Sequence, residues 1–279
     1  MSLIPDFFLD TVVALGVPDP NGSVEFTATG FLYGYPVGKN EKGVQQYWIF
    51  LVTNRHVIAN KTEFMVRFNG PMDASPKTYT LPVGNSPGAI HWTLHPDPNV
   101  DVAVLLIDAI GELLKDVKLS FIYGNYVASL EKLRQGKFSE GNEVFVLGYP
   151  MGLAGEEQNY VIVRHGIVAR IQDWYDSSSK SFLIDSSVFP GNSGGPVFAK
   201  PTLHTYGEAI IHAKLIGMVS SYLPYQEIAV SEQTGLRRMI FEENSGLATV
   251  VPIDAIQETI SIAAKRYMDE QSMFTPETN

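Results

Sequence analysis

The stretch PGNSGGPVF, residues 190–198, sets one serine among three glycines and two prolines, just ahead of an apolar run. Glycine serves where backbone must turn sharply or approach another group closely. Two accounts fit: a plain β-turn with Ser193 as a polar turn residue, or a reactive hydroxyl with backbone N–H groups set beside it. A serine nucleophile needs a base to take its proton and a third group to orient that base. Histidine is the usual base, because free imidazole titrates near neutrality. Of the 6 histidines, His56 falls just past an apolar strand in YWIFLVTNRHVIAN, rigidly based yet accessible. The orienting carboxylate is sought in HPDPNVDVAVLLID. Asp101 opens a strongly apolar strand, where a buried carboxylate needs a partner; an imidazole N–H would be one, and the pairing would set the tautomer of the base. Asp97 sits in a Pro-rich loop and reads as solvated, and Asp108 lies at the strand's far end. Taken singly, each residue has a plainer account as a polar strand end, a turn aspartate or a loop serine. His91, His95, His165, His204 and His212 show no metal-site spacing, so neither metal nor cofactor is expected.

The elements that must position these groups are short strands. Runs such as DTVVALGV, VEFTATGFLYGY, QYWIFLVTN, EFMVRF, DVAVLLI, EVFVLGYP, NYVIVRHGIVARI, SFLIDSSVF and AKLIGMVSSYL are rich in β-branched and aromatic residues. They are the many-strand signature of a barrel or sandwich. One helix is well marked, in PIDAIQETISIAAKRYMDE, where Asp254 is expected to cap and Gln257 to close a capping box. Ile256, Ile260 and Ala263 share one face, with Ile253 as a staple. A shorter helix is expected near 128–136. The least regular parts are roughly 34–44, 69–98, 109–127 and 224–247, and a division into two sub-domains would fall within 109–140.

At 279 residues the chain can bury a sizeable core. A net charge of −10 with no Lys or Arg run makes nucleic acid an improbable partner. No cysteine is present, which excludes disulfides, Cys-based zinc sites and a thiol nucleophile. No segment approaches a membrane span. The opening MSLIPDFFLDTVVALGV carries Asp6 and Asp10 within its apolar stretch and no basic region, so it reads as a strand, not a signal peptide. The expected compartment is cytoplasmic, with export after removal of a signal as the alternative.

In the order His56, Asp101, Ser193, the strings TNRHV, DVAVL and GNSGGP resemble the three catalytic motifs of chymotrypsin-like (trypsin-like) serine proteases. They are most similar to the cysteine-free bacterial HtrA/Deg-type protease domain. TATGFLY, LGYPMGL, HGIVARI and LATVVPIDAI match connecting segments in order, so the resemblance covers roughly 7–265. It implies an all-β fold of two six-stranded antiparallel barrels with a C-terminal helix. The whole chain, 1–279, would be one peptidase domain, with barrels at about 1–120 and 140–252 and the helix at 253–270. It implies Ser193 as nucleophile, His56 as general base and then acid, Asp101 as orienting carboxylate, and the N–H groups of Gly191 and Ser193 as an oxyanion hole. The substrate is then a polypeptide, bound by Ser187, Val188, Ser220, Ser221 and Tyr222. With no carboxylate at the pocket base, small or medium apolar P1 residues are expected. Asn192 stands where proteases activated by cleavage carry an Asp, so no activation by N-terminal trimming is expected. Departing from HtrA, a protease domain without a PDZ domain is expected. Residues 224–246 read as a loop that shapes or gates the site or as a surface insertion, with Arg237 and Arg238 as a solvated pair or, less favoured, a contact for an acidic partner. The alternatives are a non-catalytic peptide-binding or sensor module on the same fold, and an esterase. Oligomeric state is not legible.

Overall fold

The computed structural model describes residues 3–19, 21–71, 74–83, 92–107, 115–201 and 213–274. His91, Asp108, His204 and His212 lie outside these residues. A one-turn helix α1 (Asp6–Leu9) leads into the first sheet: β1 (Val12–Pro18), β2 (Val24–Lys39), β3 (Gln45–Thr53), β4 (Glu63–Phe68), β5 (Lys77–Pro82), β6 (Thr93–Leu94) and β7 (Ala103–Leu106). A one-turn helix α2 (Arg55–Ile58) follows β3, and α3 (Leu130–Gln135) connects to the second half. There β8 (Glu143–Gly148), β9 (Ile162–Arg170), β10 (Phe182–Asp185), β11 (Pro196–Ala199), β12 (Lys214–Val230) and β13 (Arg237–Pro252) are joined by α4 (Gln172–Tyr175) and followed by α5 (Ile253–Phe274). No helix among the described residues is long and apolar enough to cross a membrane.

The second half is a closed six-stranded barrel, in the order β10-β13-β12-β11-β8-β9. The first half departs from expectation. It is a seven-stranded sheet, β5-β4-β1-β2-β3-β7-β6, and it does not close. The end strand β6 is only 2 residues long and, among the described residues, pairs only with β7, while β5 pairs only with β4. So short an end strand offers little ladder with which to reach β5.

Period-two alternation explains why the runs are apolar on both faces. Val13 and Leu15 of β1 and Leu51 of β3 enter the core of the first sheet, whereas Val12, Phe50 and Val52 pack between the two halves. Likewise Val144 and Val146 of β8 fill the barrel, while Phe145 and Leu147 face the first sheet. The halves therefore share one buried seam, which also receives Ile253, Ile256 and Ile260 of α5.

Three local expectations change. Residues 224–230 and 237–246 are not a loop: β12 and β13 continue through them as a two-stranded ribbon. Asp254 does not cap its own helix. Helix α5 starts at Ile253, directly from β13, and the Asp254 carboxylate instead accepts the Leu130 N–H at the start of α3 (2.9 Å). Gln257 donates to the Tyr33 hydroxyl at 2.8 Å and closes no capping box. In both cases a long-range partner displaces the local one.

Candidate active site

His56 lies in α2, the single turn that follows the last residue of β3. Its Nδ1 is 2.7 Å from Asp101 Oδ2, and its backbone N–H donates to Asp101 Oδ1 at 3.1 Å. Asp101 thus grips both ring and backbone, which places the proton on Nδ1 and leaves Nε2 as an acceptor. The adjacent Asn54, fully buried, donates from Nδ2 to the Asp101 carbonyl at 2.9 Å. A further donor is the Ser220 hydroxyl in β12, 2.6 Å from Asp101 Oδ2. Burial alone would raise the Asp101 carboxyl; the bonds from His56 and Ser220 outweigh it and hold that group below the usual carboxylate range. Asp97 faces Lys180 at 3.0 Å and the Asn99 N–H at 2.9 Å, away from this cluster. His95 is buried against the Asp97 N–H and Glu258, and His165 pairs with Glu143, so neither joins the site.

Ser193 sits in the turn between β10 and β11. With His56, Gly191, Val188, Ser220, Ser221 and Tyr222 it lines one cleft of about 350 Å³. No hydrogen bond joins Ser193 to His56; the serine hydroxyl donates to the Ser220 carbonyl at 3.2 Å. Such links are often unmade in the absence of substrate, and rotation about one side-chain bond redirects the hydroxyl. Ser187 is the expected cleft residue that the structure leaves out. Beyond the end of β10, Ser186 and Val188 turn inward and Ser187 outward to solvent. Tyr222 bonds Glu242 through its hydroxyl at 2.9 Å, and the Asn244 side chain donates to the Val188 carbonyl, so the ribbon braces the cleft wall.

The backbone beside Ser193 is held in a definite direction. The Pro190 carbonyl accepts the Met151 N–H at 2.6 Å, and the peptide is trans. The Gly191 N–H therefore points the opposite way and has no partner among the described residues. The Asn192 carbonyl accepts the Gly195 N–H at 2.8 Å, which leaves the Ser193 N–H free in the same sense. Gly191 has φ of 100°, and a Cβ there would lie 2.3 Å from the Tyr149 carbonyl oxygen. Gly194, at φ 84°, packs against the Thr29 carbonyl, 2.0 Å from where a Cβ would stand. Both positions demand glycine. Asn192 is fully buried, and its Oδ1 accepts the Phe189 N–H at 3.1 Å, bracing the turn from within.

Sequence reasoning missed the support behind this turn. Thr29 of β2 is fully buried and spans the seam between the two halves. Its hydroxyl donates to the Gly191 carbonyl at 2.6 Å and accepts the Tyr149 N–H at 3.1 Å. Its backbone N–H donates to the Ser193 carbonyl at 2.8 Å, and its own carbonyl accepts the Thr53 hydroxyl at 2.9 Å. Met151 adopts a left-handed φ of 56°, a strained conformation for a residue with a side chain, while its N–H holds Pro190. The only signal for either was their place in TATGFLY and LGYPMGL.

The model of the trypsin-like peptidase domain matches residues 28–202, well over half of the chain. The chain belongs to that family. Among curated relatives, a "Serine protease DegP homolog" of Plasmodium falciparum is 28% identical over 154 residues, 54% of this chain and 14% of its own length. A "Probable periplasmic serine endoprotease DegP-like" of Rhizobium meliloti is 32% identical over 151 residues, 53% of this chain and 23% of its own. Its Pseudomonas putida (strain W619) counterpart is 28% identical over 150 residues, 53% and 24%. This peptidase domain thus matches less than a quarter of the length of these relatives. Among solved structures, the MamO protease domain from Magnetospirillum magneticum (apo form) aligns at 17% identity and a TM-score of 0.47, over 91% of this chain and 97% of that one.

Proposed function

We propose that the chain is a serine endopeptidase that cleaves polypeptides through an acyl-enzyme. The observation that carries this reading is the His56–Asp101 pair at 2.7 Å, opening on the same cleft as Ser193. In the proposed reaction Ser193 Oγ attacks the scissile carbonyl carbon while His56 Nε2 takes its proton. Asp101 holds the ring and stabilises the imidazolium that forms. The new oxyanion accepts the free N–H groups of Gly191 and Ser193. Collapse expels the amine, protonated by His56, and leaves an ester on Ser193. Water then attacks this ester with His56 again as base, releasing the carboxylate and restoring the hydroxyl.

Substrate backbone would pair with β12 at Ser220 to Tyr222 by strand addition. Val188 and Tyr222 line a side-chain pocket without a carboxylate, which favours small or medium apolar P1 residues over Lys or Arg. A second reading, a peptide-binding module without turnover, draws on the Ser193 hydroxyl bonding Ser220 and not His56. Labelling by a fluorophosphonate probe separates the two. The proposal expects labelling of the wild type and its loss in Ser193→Ala and His56→Ala, followed by peptide cleavage. A folded wild type that never labels would favour the binding module, and a profile dominated by Arg or Lys at P1 would refute the pocket assignment.

A further inference from the structure

Beyond Tyr222 the strands β12 and β13 leave the barrel as a bare ribbon. Tyr225, Ile228, Met239, Ile240 and Phe241 lie on it, each between 43% and 56% exposed. Ile228 stands opposite Ile240 on one face, and Ala229 opposite Met239 on the other, so neither face is buried. An isolated two-stranded ribbon is marginal in water, and a long apolar edge is a template for another strand. From Arg237 to Glu243, β13 pairs only with β12. Its other edge, which meets β10 from Leu247 to Val250, has no backbone partner there among the described residues.

The residues along that edge read RRMIFEE, 237–243. Two cations, three apolar residues and two anions form a chemical palindrome centred on Ile240. An antiparallel strand of identical sequence, related by a two-fold axis at Ile240, sets Arg237 opposite Glu243, Arg238 opposite Glu242, and Met239 opposite Phe241. Directly opposed residues share a face, so every charged pair is complementary and every apolar pair meets its like. Neither arginine has a carboxylate partner within the chain among the described residues. Glu242 is held in place on the ribbon by Tyr222 and Gln226, at 2.9 and 3.1 Å.

We propose that the chain forms a two-fold dimer by edge-to-edge pairing of β13 residues 237–243 with the same residues of a second copy. The interface is isologous, as a two-fold requires. The product is a four-stranded sheet, β12-β13-β13-β12, with apolar residues continuous across its centre, which meets the size at which such a sheet is stable.

Sedimentation of the full chain over roughly 1–100 µM tests this. The wild type is expected to sediment as a dimer. Arg237→Glu/Arg238→Glu leaves four anions on each of the two paired strands, and Glu242→Arg/Glu243→Arg leaves four cations on each. Each variant alone is expected to associate roughly 100-fold more weakly, and a mixture of the two to recover dimers, which also shows that both are folded. Because the chain has no cysteine, a disulfide reports the register directly. Opposed Cβ atoms across such a pair lie about 4.5–5.5 Å apart, so Ile240→Cys is expected to cross-link on mild oxidation and Val230→Cys, on the outer strand β12, not to. Four results would each overturn the proposal: a wild type that stays monomeric, dimers indifferent to either charge reversal, a mixture that stays apart, or equal cross-linking at both positions. A monomer whose ribbon captures an added peptide strand would do so as well, assigning the edge to a polypeptide ligand.

Discussion

Replacing Thr29 by valine removes one hydroxyl while keeping the shape of the side chain. That hydroxyl is the only partner, among the described residues, of both the Gly191 carbonyl and the Tyr149 N–H, at 2.6 and 3.1 Å. All three residues are buried, so water cannot replace the lost bonds without a rearrangement. Leaving a buried backbone group unpaired costs about 1–3 kcal/mol, so two such groups cost roughly 2–6 kcal/mol if nothing moves. That is a large fraction of the ~5–15 kcal/mol that holds a typical domain together. Gly191 offers the chain an alternative. At φ of 100° and without a Cβ, it can swing its carbonyl toward solvent. The strain is then relieved by displacing the loop that aims the Gly191 N–H, the proposed oxyanion donor, and loss of such a donor costs on the order of 10²–10³ in rate. Urea unfolding and the rate of acylation by an activated ester, measured together, distinguish the two responses. Thr29→Val is expected to lose at least about 2 kcal/mol of stability, or at least ~10-fold in acylation rate with KM little changed. Thr29→Ser keeps the hydroxyl and should recover both quantities. If Thr29→Val matches wild type in unfolding midpoint and in rate, the reasoning fails.

Two further outcomes follow from the same geometry. Ser220→Ala removes a donor that helps to hold the Asp101 carboxyl below its ordinary range. A carboxyl lowered in the folded state contributes stability above its unfolded value, near 3.9, and that contribution fades as pH falls through the folded value. The loss of stability between pH 7 and pH 3 attributable to Asp101 should therefore be smaller in Ser220→Ala, and NMR titration should place its carboxyl nearer the ordinary range. An unchanged titration would count against the Ser220 bond. Gly194→Ala and Gly22→Ala compare two glycines of nearly equal φ, 84° and 83°. The added methyl would meet the Thr29 carbonyl oxygen at 2.0 Å in the first and nothing within 4 Å in the second. Denaturant unfolding should show about 1–2 kcal/mol lost at Gly22 and several more at Gly194; equal losses would show that backbone angle alone matters.

Much of the site was legible because it is written in local chemistry. A serine flanked by glycines, a histidine past an apolar strand and an aspartate ahead of another each announce themselves within a few residues, and His56 and Asp101 do meet at 2.7 Å. Strands with period-two alternation were legible for the same reason. The ribbon at 224–246 was not, because Pro224, Gly235 and six charged residues obscure its alternation, and its pairing is visible only as register between distant residues. Ser187 was misplaced because its side depends on where β10 ends, which composition does not mark.

By itself, then, the sequence determined the candidate residue types for the proposed reaction and the β-rich architecture, since each follows from side-chain chemistry or backbone preference near one point in the chain. Tertiary structure alone decided that the first sheet stays open, that Asp254 serves α3, and that the Ser193 hydroxyl rests on Ser220. It alone brought Thr29 to Gly191 across a separation of 162 residues. The physical reason is shared: a buried polar group bonds whichever partner folding brings within reach, and that choice is settled where two distant surfaces close together.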